Sequence, residues 1–413
     1  MVRFTSFMLN LGLALAAPSL IPRQDKEAVS KKLIVGAAGQ ILSFQFDGKA
    51  FKPISKVVED GKSASWMVFK HPNHLYAVDE NSNTLRLFNY DPATGKLSDK
   101  AVSEKTGSPG VVSLEFNKDK TRLLGGSYSN GTVDIWDTSA GDGSMKFLKN
   151  VTLQGDVNPK HGTHRAHQIV PDPSGRYFAV NDLGGDAIHI LDSQKDYTIT
   201  SKVKVEPAGC GPRHGGFLNA NSRISPSSLP THYVVLCETM NQLQLYSIEK
   251  KADDTLALKR VQSQSSYGPG VTFNTTTAAA GELTVAYNQR DVYITNRLSG
   301  NETDNVSLFS FQNKIGKGDG LLFKQQISSE GVSPRMMSLS RDKNESIMFV
   351  ANPMGKNGIV ALKRDESCGL LAPMASMLNA DVSPKDGGFG PQFVLEIPAT
   401  EPSATRQSAN KNA

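Results

Sequence analysis

A chain of 413 residues, 38% hydrophobic and 21% charged, is long and apolar enough to bury a core, and its 36 glycines and 21 prolines suit many short strands joined by tight turns. The 45 basic and 40 acidic residues give a net charge of +5 and are interspersed without a basic block, which argues against nucleic acid as a partner. Three cysteines are too few for a disulfide framework, and no CxxC or His-x-x-x-His spacing points to zinc, so neither a metal nor a cofactor is expected.

The chain opens with Met1-Val2-Arg3, then an apolar run from Phe4 that ends in Ala14-Leu15-Ala16-Ala17 before Pro18. A basic start, an apolar stretch too short to span a bilayer comfortably and small residues at its end describe a secretory signal peptide over 1–17, with a short linker over 18–30. The mature protein is therefore expected outside the cell, either free or in the cell wall. Six Asn-x-Ser/Thr tripeptides, at Asn130, Asn150, Asn274, Asn301, Asn305 and Asn344, are candidate N-glycosylation sites in that setting. An oxidising compartment also permits one bridge among Cys210, Cys237 and Cys368. Cys210 and Cys237 are the preferred pair, because both fall within one repeat unit, and three free thiols are the alternative.

After residue 30 come short β-type runs at Leu33 to Ala38, Ile41 to Asp47, His74 to Asp79, Thr84 to Tyr90, Arg122 to Ser127 and Thr132 to Asp137, separated by Asn-Ser-Asn, Ser-Asn-Gly and Asp-Gly turn signals. No segment sustains a helical period. The runs recur in a larger unit, seen in SLEFNKDKTRLLGGSYSNGTVDIWD from Ser113, QIVPDPSGRYFAVNDLGGDAIHILD from Gln168 and SLSRDKNESIMFVANPMGKNGIVALKRD from Ser338. A four-stranded unit at this spacing predicts propeller blades, and the chain holds about seven. The expected fold is an all-β, seven-bladed β-propeller of mostly four-stranded antiparallel blades over 31–398. Strands from both termini should close it, with Phe393 to Ile397 completing the blade begun near Leu33. Residues 399–413 read as a disordered polar tail without the apolar segment that a lipid anchor needs.

Unusual polar residues cluster where units begin. His164-Arg165-Ala166-His167-Gln168 opens one, Gly211-Pro212-Arg213-His214-Gly215-Gly216-Phe217 the next, and Ser333-Pro334-Arg335 the last, while Glu238 and Arg297 stand on apparent second strands. The HQIVPDPSGRYFAVNDLG stretch, the GPRHGGF start, the TNR turn and the SPRMMSLS to FVANPMG segment together resemble the seven-bladed lactonase family, over roughly residues 31 to 398. That family includes bacterial 6-phosphogluconolactonases and fungal 3-carboxy-cis,cis-muconate lactonizing enzymes. The resemblance to the fungal branch implies catalytic roles for His167, Arg213, Glu238 and Arg297. His164, His214 and Arg335 are candidate substrate contacts. The segment Asn219 to Pro230, longer than the resemblance implies, is expected to reshape the pocket rim.

Two guanidiniums can hold substrate carboxylates and stabilise a developing oxyanion, and His167 or Glu238 can move the proton, with His167 favoured. The resemblance implies an enzyme that closes or opens a lactone ring on a small carboxylate-bearing substrate, with carboxymuconate cyclisation as one reaction and hydrolysis of a sugar lactone, of the 6-phosphogluconolactonase type, as the other; the leader places that enzyme outside the cell. Secretion conflicts with carboxymuconate and with a phosphorylated sugar lactone, both intracellular, and an unphosphorylated sugar lactone or an aromatic-derived acid outside the cell would resolve the conflict. A non-catalytic cell-wall or surface-binding glycoprotein on the same scaffold is the alternative from a different class. The competing reading of the residues themselves is a buried structural Arg213–Glu238 pair and a solvated Arg297.

Overall fold

The computed structural model describes residues 30–220, 229–312, 318–384 and 388–400. The leader expected at 1–17, most of the linker at 18–30 and most of the tail at 399–413 lie outside them. Strands dominate because the β-branched and aromatic runs are too short and too closely punctuated for helices; the α-helix among the described residues is the four-residue Asn379–Val382.

Seven antiparallel sheets form the blades of a propeller. Blade 1 comprises Met67–Lys70, His74–Val78 and Thr84–Asp91, edged by Lys96–Leu97 and Ser103–Thr106. Blade 2 comprises Val111–Phe116, Arg122–Ser127, Thr132–Asp137 and Lys146–Thr152, and blade 3 Ala166–Pro171, Tyr177–Asp182, Ala187–Asp192 and Thr198–Lys204. Blade 4 runs Pro212–Leu218, His232–Cys237, Gln242–Lys250 and Leu256–Ser265, and blade 5 Ala279–Val285, Asp291–Arg297, Asn305–Gln312 and Gly320–Ser328. Blade 6 runs Met336–Leu339, Ile347–Ala351, Asn357–Arg364 and Leu371–Leu378.

Blade 7 closes the ring. Its inner strand, Pro391–Glu396, comes from the C-terminal end and pairs with Lys31–Phe46, which pairs outward with Phe51–Ser63. The two runs expected at Leu33 to Ala38 and Ile41 to Asp47 are thus one 16-residue strand. Gly39, at φ +69°, takes up a register shift between them that a residue with a Cβ would make costly.

Burial falls from the middle of each blade outward. Second strands such as Tyr177–Asp182 and His232–Cys237 are wholly buried, whereas the outer strand Lys146–Thr152 is largely exposed. The reason is packing between blades: Leu218, Val234 and Leu245 of blade 4 meet Ala280, Ile294 and Phe309 of blade 5 in one cluster. Neither sheet could shield both of its faces alone.

A polar residue also repeats at the third position of the third strand: Arg86, Asp134, His189, Gln244 and Ser307 are all fully buried. Each bonds the polypeptide nearby. Arg86 donates to Val78 O, Asp134 accepts from Ser108 N, His189 meets Asp182, Gln244 donates to Glu206 O, and Ser307 accepts from Asn296. Such residues satisfy groups that the strand ladders leave unpaired.

Cys210 and Cys237 form a disulfide with Cα atoms 5.0 Å apart, and Cys368 is an exposed free thiol. The bridge ties the start of the inner strand of blade 4 to the end of its neighbour. Closing a loop of 27 residues should stabilise the fold by about 3 kcal/mol. The Cys210→Ala/Cys237→Ala variant is expected to lose about that much in a denaturant titration, with the wild type losing a similar amount when reduced.

Candidate functional site

In five blades the inner strand carries a β-bulge at its first turn, visible as a register shift against the second strand: Val111/Ser113, Ala166/Gln168, Pro212/His214, Ala280/Leu283 and, in blade 7, the Pro391 to Phe393 step. A bulge leaves one residue unpaired and re-aims its side chain. The bulge residues are Val112, His167, Arg213, Gly281 and Gln392, and Trp66 and Arg335 hold the same position just ahead of the inner strands of blades 1 and 6. A second ring comes from the ends of the second strands, where Glu80, Tyr128, Leu183, Glu238 and Arg297 occupy equivalent positions. The candidate site is where these two rings meet at one mouth of the axis.

Charge is concentrated there. Glu238 Oε2 lies 2.7 Å from Arg213 Nε and 3.1 Å from Arg297 Nη2, so one carboxylate oxygen bridges two guanidiniums. Arg297 also donates to Ala280 O at 2.9 Å. Arg335 donates through Nη2 to both oxygens of Glu80, at 2.8 and 2.6 Å, and through Nη1 to Gln392 Oε1 at 2.6 Å. Three guanidiniums against two carboxylates leave the mouth positive.

That field sets the protonation of its neighbours. Burial works to raise the Glu238 carboxyl, but Arg297 and Arg213 outweigh it and hold it below the usual carboxylate range. Glu80 is held low against burial by Arg335 in the same way. Burial, reinforced by Arg213, His214, Arg335 and Arg297, pushes His167 well below the usual imidazole range. His167 is thus a neutral ring at neutral pH. Its Nδ1 is buried without a hydrogen-bond partner, and its ring meets His214 at 5.1 Å and Tyr128 at 5.7 Å between centroids. Above Tyr128, the Arg165 guanidinium stacks at 4.5 Å. The arrangement offers a neutral base beside fixed cations, and Glu238 is a better orienting group for the arginines than a proton donor.

The four residues expected to act together therefore converge, and Arg335 joins them. Two other expectations change. His214 has no free ring nitrogen: Nε2 faces Arg213 Nη1 at 3.1 Å and Nδ1 faces Glu282 Oε1 at 2.7 Å. His164 is engaged with Asp182 at 2.6 Å through Nδ1 and with Gly155 O at 3.2 Å through Nε2. Both rings support the scaffold where substrate contact was expected. The expectation that Asn219 to Pro230 reshapes the pocket rim falls on residues 221–228, which lie outside the described ones.

Glu80, Gln392, Tyr128 and Glu282 are site residues that the sequence reading missed. His164, Asp182 and His189 are the set among the described residues that could hold a metal, with ligand atoms within 4.8 Å of one another. Asp182 is already saturated by Arg165 N, Gly185 N and both rings, and His189 stands at the repeated structural position, so the set is accounted for as a polar bracket.

Of the six sequon asparagines, Asn130, Asn150, Asn274, Asn301 and Asn344 are exposed. Asn305 is buried and its Oδ1 accepts from Asn296 and Gln326, which removes it as a glycan attachment point in the folded chain.

The Glu238→Gln substitution leaves Arg213 and Arg297 without a counter-charge. A loss of about 3 kcal/mol is expected. Sulfate should recover part of it, and more for the variant than for the wild type, as read from denaturation midpoints.

A family model described as Lactonase, 7-bladed beta-propeller matches residues 29–383. An Arthroderma benhamiae protein named "Probable 6-phosphogluconolactonase" is 27% identical over 349 residues, covering 82% of this chain and 83% of the relative. The solved structure of the Pseudomonas aeruginosa periplasmic gluconolactonase superposes with a TM-score of 0.71 at 21% identity, covering 90% of this chain and all of that one. A Lactobacillus plantarum protein superposes at 0.70 with 18% identity, over 89% and 99%.

Proposed function

The chain belongs to the seven-bladed β-propeller lactonase family, and from that premise we propose that it hydrolyses a lactone of a small anionic or polyhydroxylated acid at the mouth built by His167, Arg213, Glu238, Arg297 and Arg335. The observation that carries the reading is a buried His167, its Nδ1 without a hydrogen-bond partner, set among the guanidiniums of Arg213, Arg335 and Arg297, which together with burial hold its affinity for protons low. His167 takes a proton from water as that water attacks the lactone carbonyl. Arg213 stabilises the negative charge on the carbonyl oxygen, and Glu238 holds Arg213 and Arg297 in place. The ring C–O bond then breaks, and the leaving alkoxide recovers the proton from His167 to give the hydroxy acid. Arg297 and Arg335 hold the substrate's carboxylate, phosphate or hydroxyl groups.

The names of two similar proteins, a 6-phosphogluconolactonase and a periplasmic gluconolactonase, support a gluconolactone-type substrate. The leader-like N-terminus and five exposed sequons support a secreted glycoprotein, which fits an unphosphorylated lactone better than a sugar phosphate. Ring closure on a carboxymuconate is the second reading, favoured by three guanidiniums that match a substrate with several carboxylates. It needs a proton delivered to carbon, which a neutral His167 supplies only after the substrate's own charges raise its affinity for protons.

The deciding assay is a panel of sugar lactones and muconates. His167→Ala is expected to lower kcat/KM by about 10²-fold or more, and Arg213→Ala by about 10²–10³-fold. Turnover unchanged in both variants would reject the site, and a purified wild type inert toward every compound would favour the cell-wall or surface-binding alternative.

The pH dependence follows from the direction of the His167 shift. A base whose affinity for protons is lowered stays neutral further into acid, so kcat/KM should remain flat as pH falls through the ordinary imidazole value of 6.5 and decline only well below it. A half-maximal rate at 6.5 itself would contradict the assignment of His167 as a buried base.

A further inference from the structure

The position after the bulge repeats as well, and in blades 3, 4 and 5 it holds Gln168, His214 and Glu282. Glu282 is 2% exposed. Its Oε1 accepts from Leu283 N at 3.1 Å and lies 2.7 Å from His214 Nδ1, while Oε2 is buried without a partner. On the other side of the same ring, His214 Nε2 lies 3.1 Å from Arg213 Nη1. A guanidinium carries only donors, so His214 Nε2 must accept and the single ring proton must sit on Nδ1, donated to Glu282. The field agrees with this, because burial and the cations Arg213, Arg297 and Arg335 keep His214 neutral.

Arg213 Nη1 also donates to Gly281 O at 2.8 Å, and its Nε faces Glu238. A Cβ at Gly281 would fall 2.3 Å from Thr295 Oγ1 and 2.8 Å from Pro334 O, so this approach of the backbone beneath Arg213 requires glycine. The guanidinium is therefore gripped by Glu238 from the mouth and by the Gly281-Glu282 step from below.

We infer that Glu282 is a positioning residue for the lactone chemistry, acting through the tautomer of His214 to fix the plane in which Arg213 presents its guanidinium to the carbonyl oxygen. This rests on the reading that Arg213 stabilises that oxygen. Without an acceptor at Glu282, His214 is free to carry its proton on Nε2, where it points at a donor and drives Arg213 out of line. Burial, opposed by Arg213, pushes the Glu282 carboxyl up to about 8, so at neutral pH it is mostly the uncharged acid and still offers Oε1 as an acceptor. An amide reproduces both the shape and the acceptor.

The experiment compares the wild type, Glu282→Gln and Glu282→Met on a sugar δ-lactone, with the His214 tautomer read by ¹⁵N NMR. Glu282→Met is expected to lower kcat by about 10–10²-fold with KM nearly unchanged, and to shift the His214 proton from Nδ1 toward Nε2. Glu282→Gln should keep kcat within about threefold and retain the Nδ1 proton. A Met variant with wild-type kcat and an unchanged tautomer, or a Gln variant as impaired as Met, would overturn the inference. If the wild type turns over no lactone, the functional reading fails, and the tautomer comparison still judges whether Glu282 controls His214.

Discussion

One extra residue near the mouth of the inner strand, present in five of the seven blades, decides much of what this propeller can do. Antiparallel pairing alone would alternate side chains between the two faces of a blade, where neighbouring blades pack, and none would converge on the axis. The bulge breaks that alternation at a repeated place and turns His167, Arg213 and Gln392 toward one another. It brings Arg213 to Glu238 and Arg297, which stand at the ends of second strands, and the combined field of the arginines keeps His167 and His214 neutral.

The electrostatics follow from placing like charges in a confined space. Two guanidiniums on a single carboxylate oxygen would repel strongly without it, and the cost of burying all three groups is met by the backbone carbonyls of Ala280 and Gly281 as well as by Glu238. The result is a fixed, pre-oriented set of donors, which is the form of stabilisation that acts on a developing oxyanion with little reorganisation. The same reasoning makes Glu238 a counter-ion first, and it moves the proton-transfer role to His167.

Much of the architecture was legible because turn chemistry punctuates the chain: Asp-Pro-Ser-Gly, Ser-Asn-Gly and Asn-Ser-Asn mark strand ends regardless of tertiary context. The polar quartet was picked out by the family resemblance, on residues that stand at unit starts and on second strands. What stayed hidden depends on register. Glu282 occupies the place of His214 in the next blade, but that equivalence appears only once the bulge shifts the pairing by one residue, and a bulge leaves no reliable mark in composition. Glu80 sits in Asp79-Glu80-Asn81-Ser82, which reads as a solvated turn, and Gln392 sits in a strand whose blade is assembled from both ends of the chain. His164 and His214 were read as substrate contacts from adjacency alone; their hydrogen-bond partners lie far enough away in sequence, at Asp182 and Glu282, to be invisible there.

The central claim is that the guanidinium cluster at the bulge mouth is where substrate binds. A crystal structure of the His167→Ala variant soaked with a sugar δ-lactone tests it most directly. The account predicts the lactone carbonyl oxygen within hydrogen-bonding distance of Arg213, with its remaining polar groups on Arg297 and Arg335. A lactone ordered elsewhere, such as deeper in the axial chamber of about 840 Å³ that runs from Trp66, Gln168 and Glu282 to Phe217 and Arg341, with the arginine mouth empty, would contradict it.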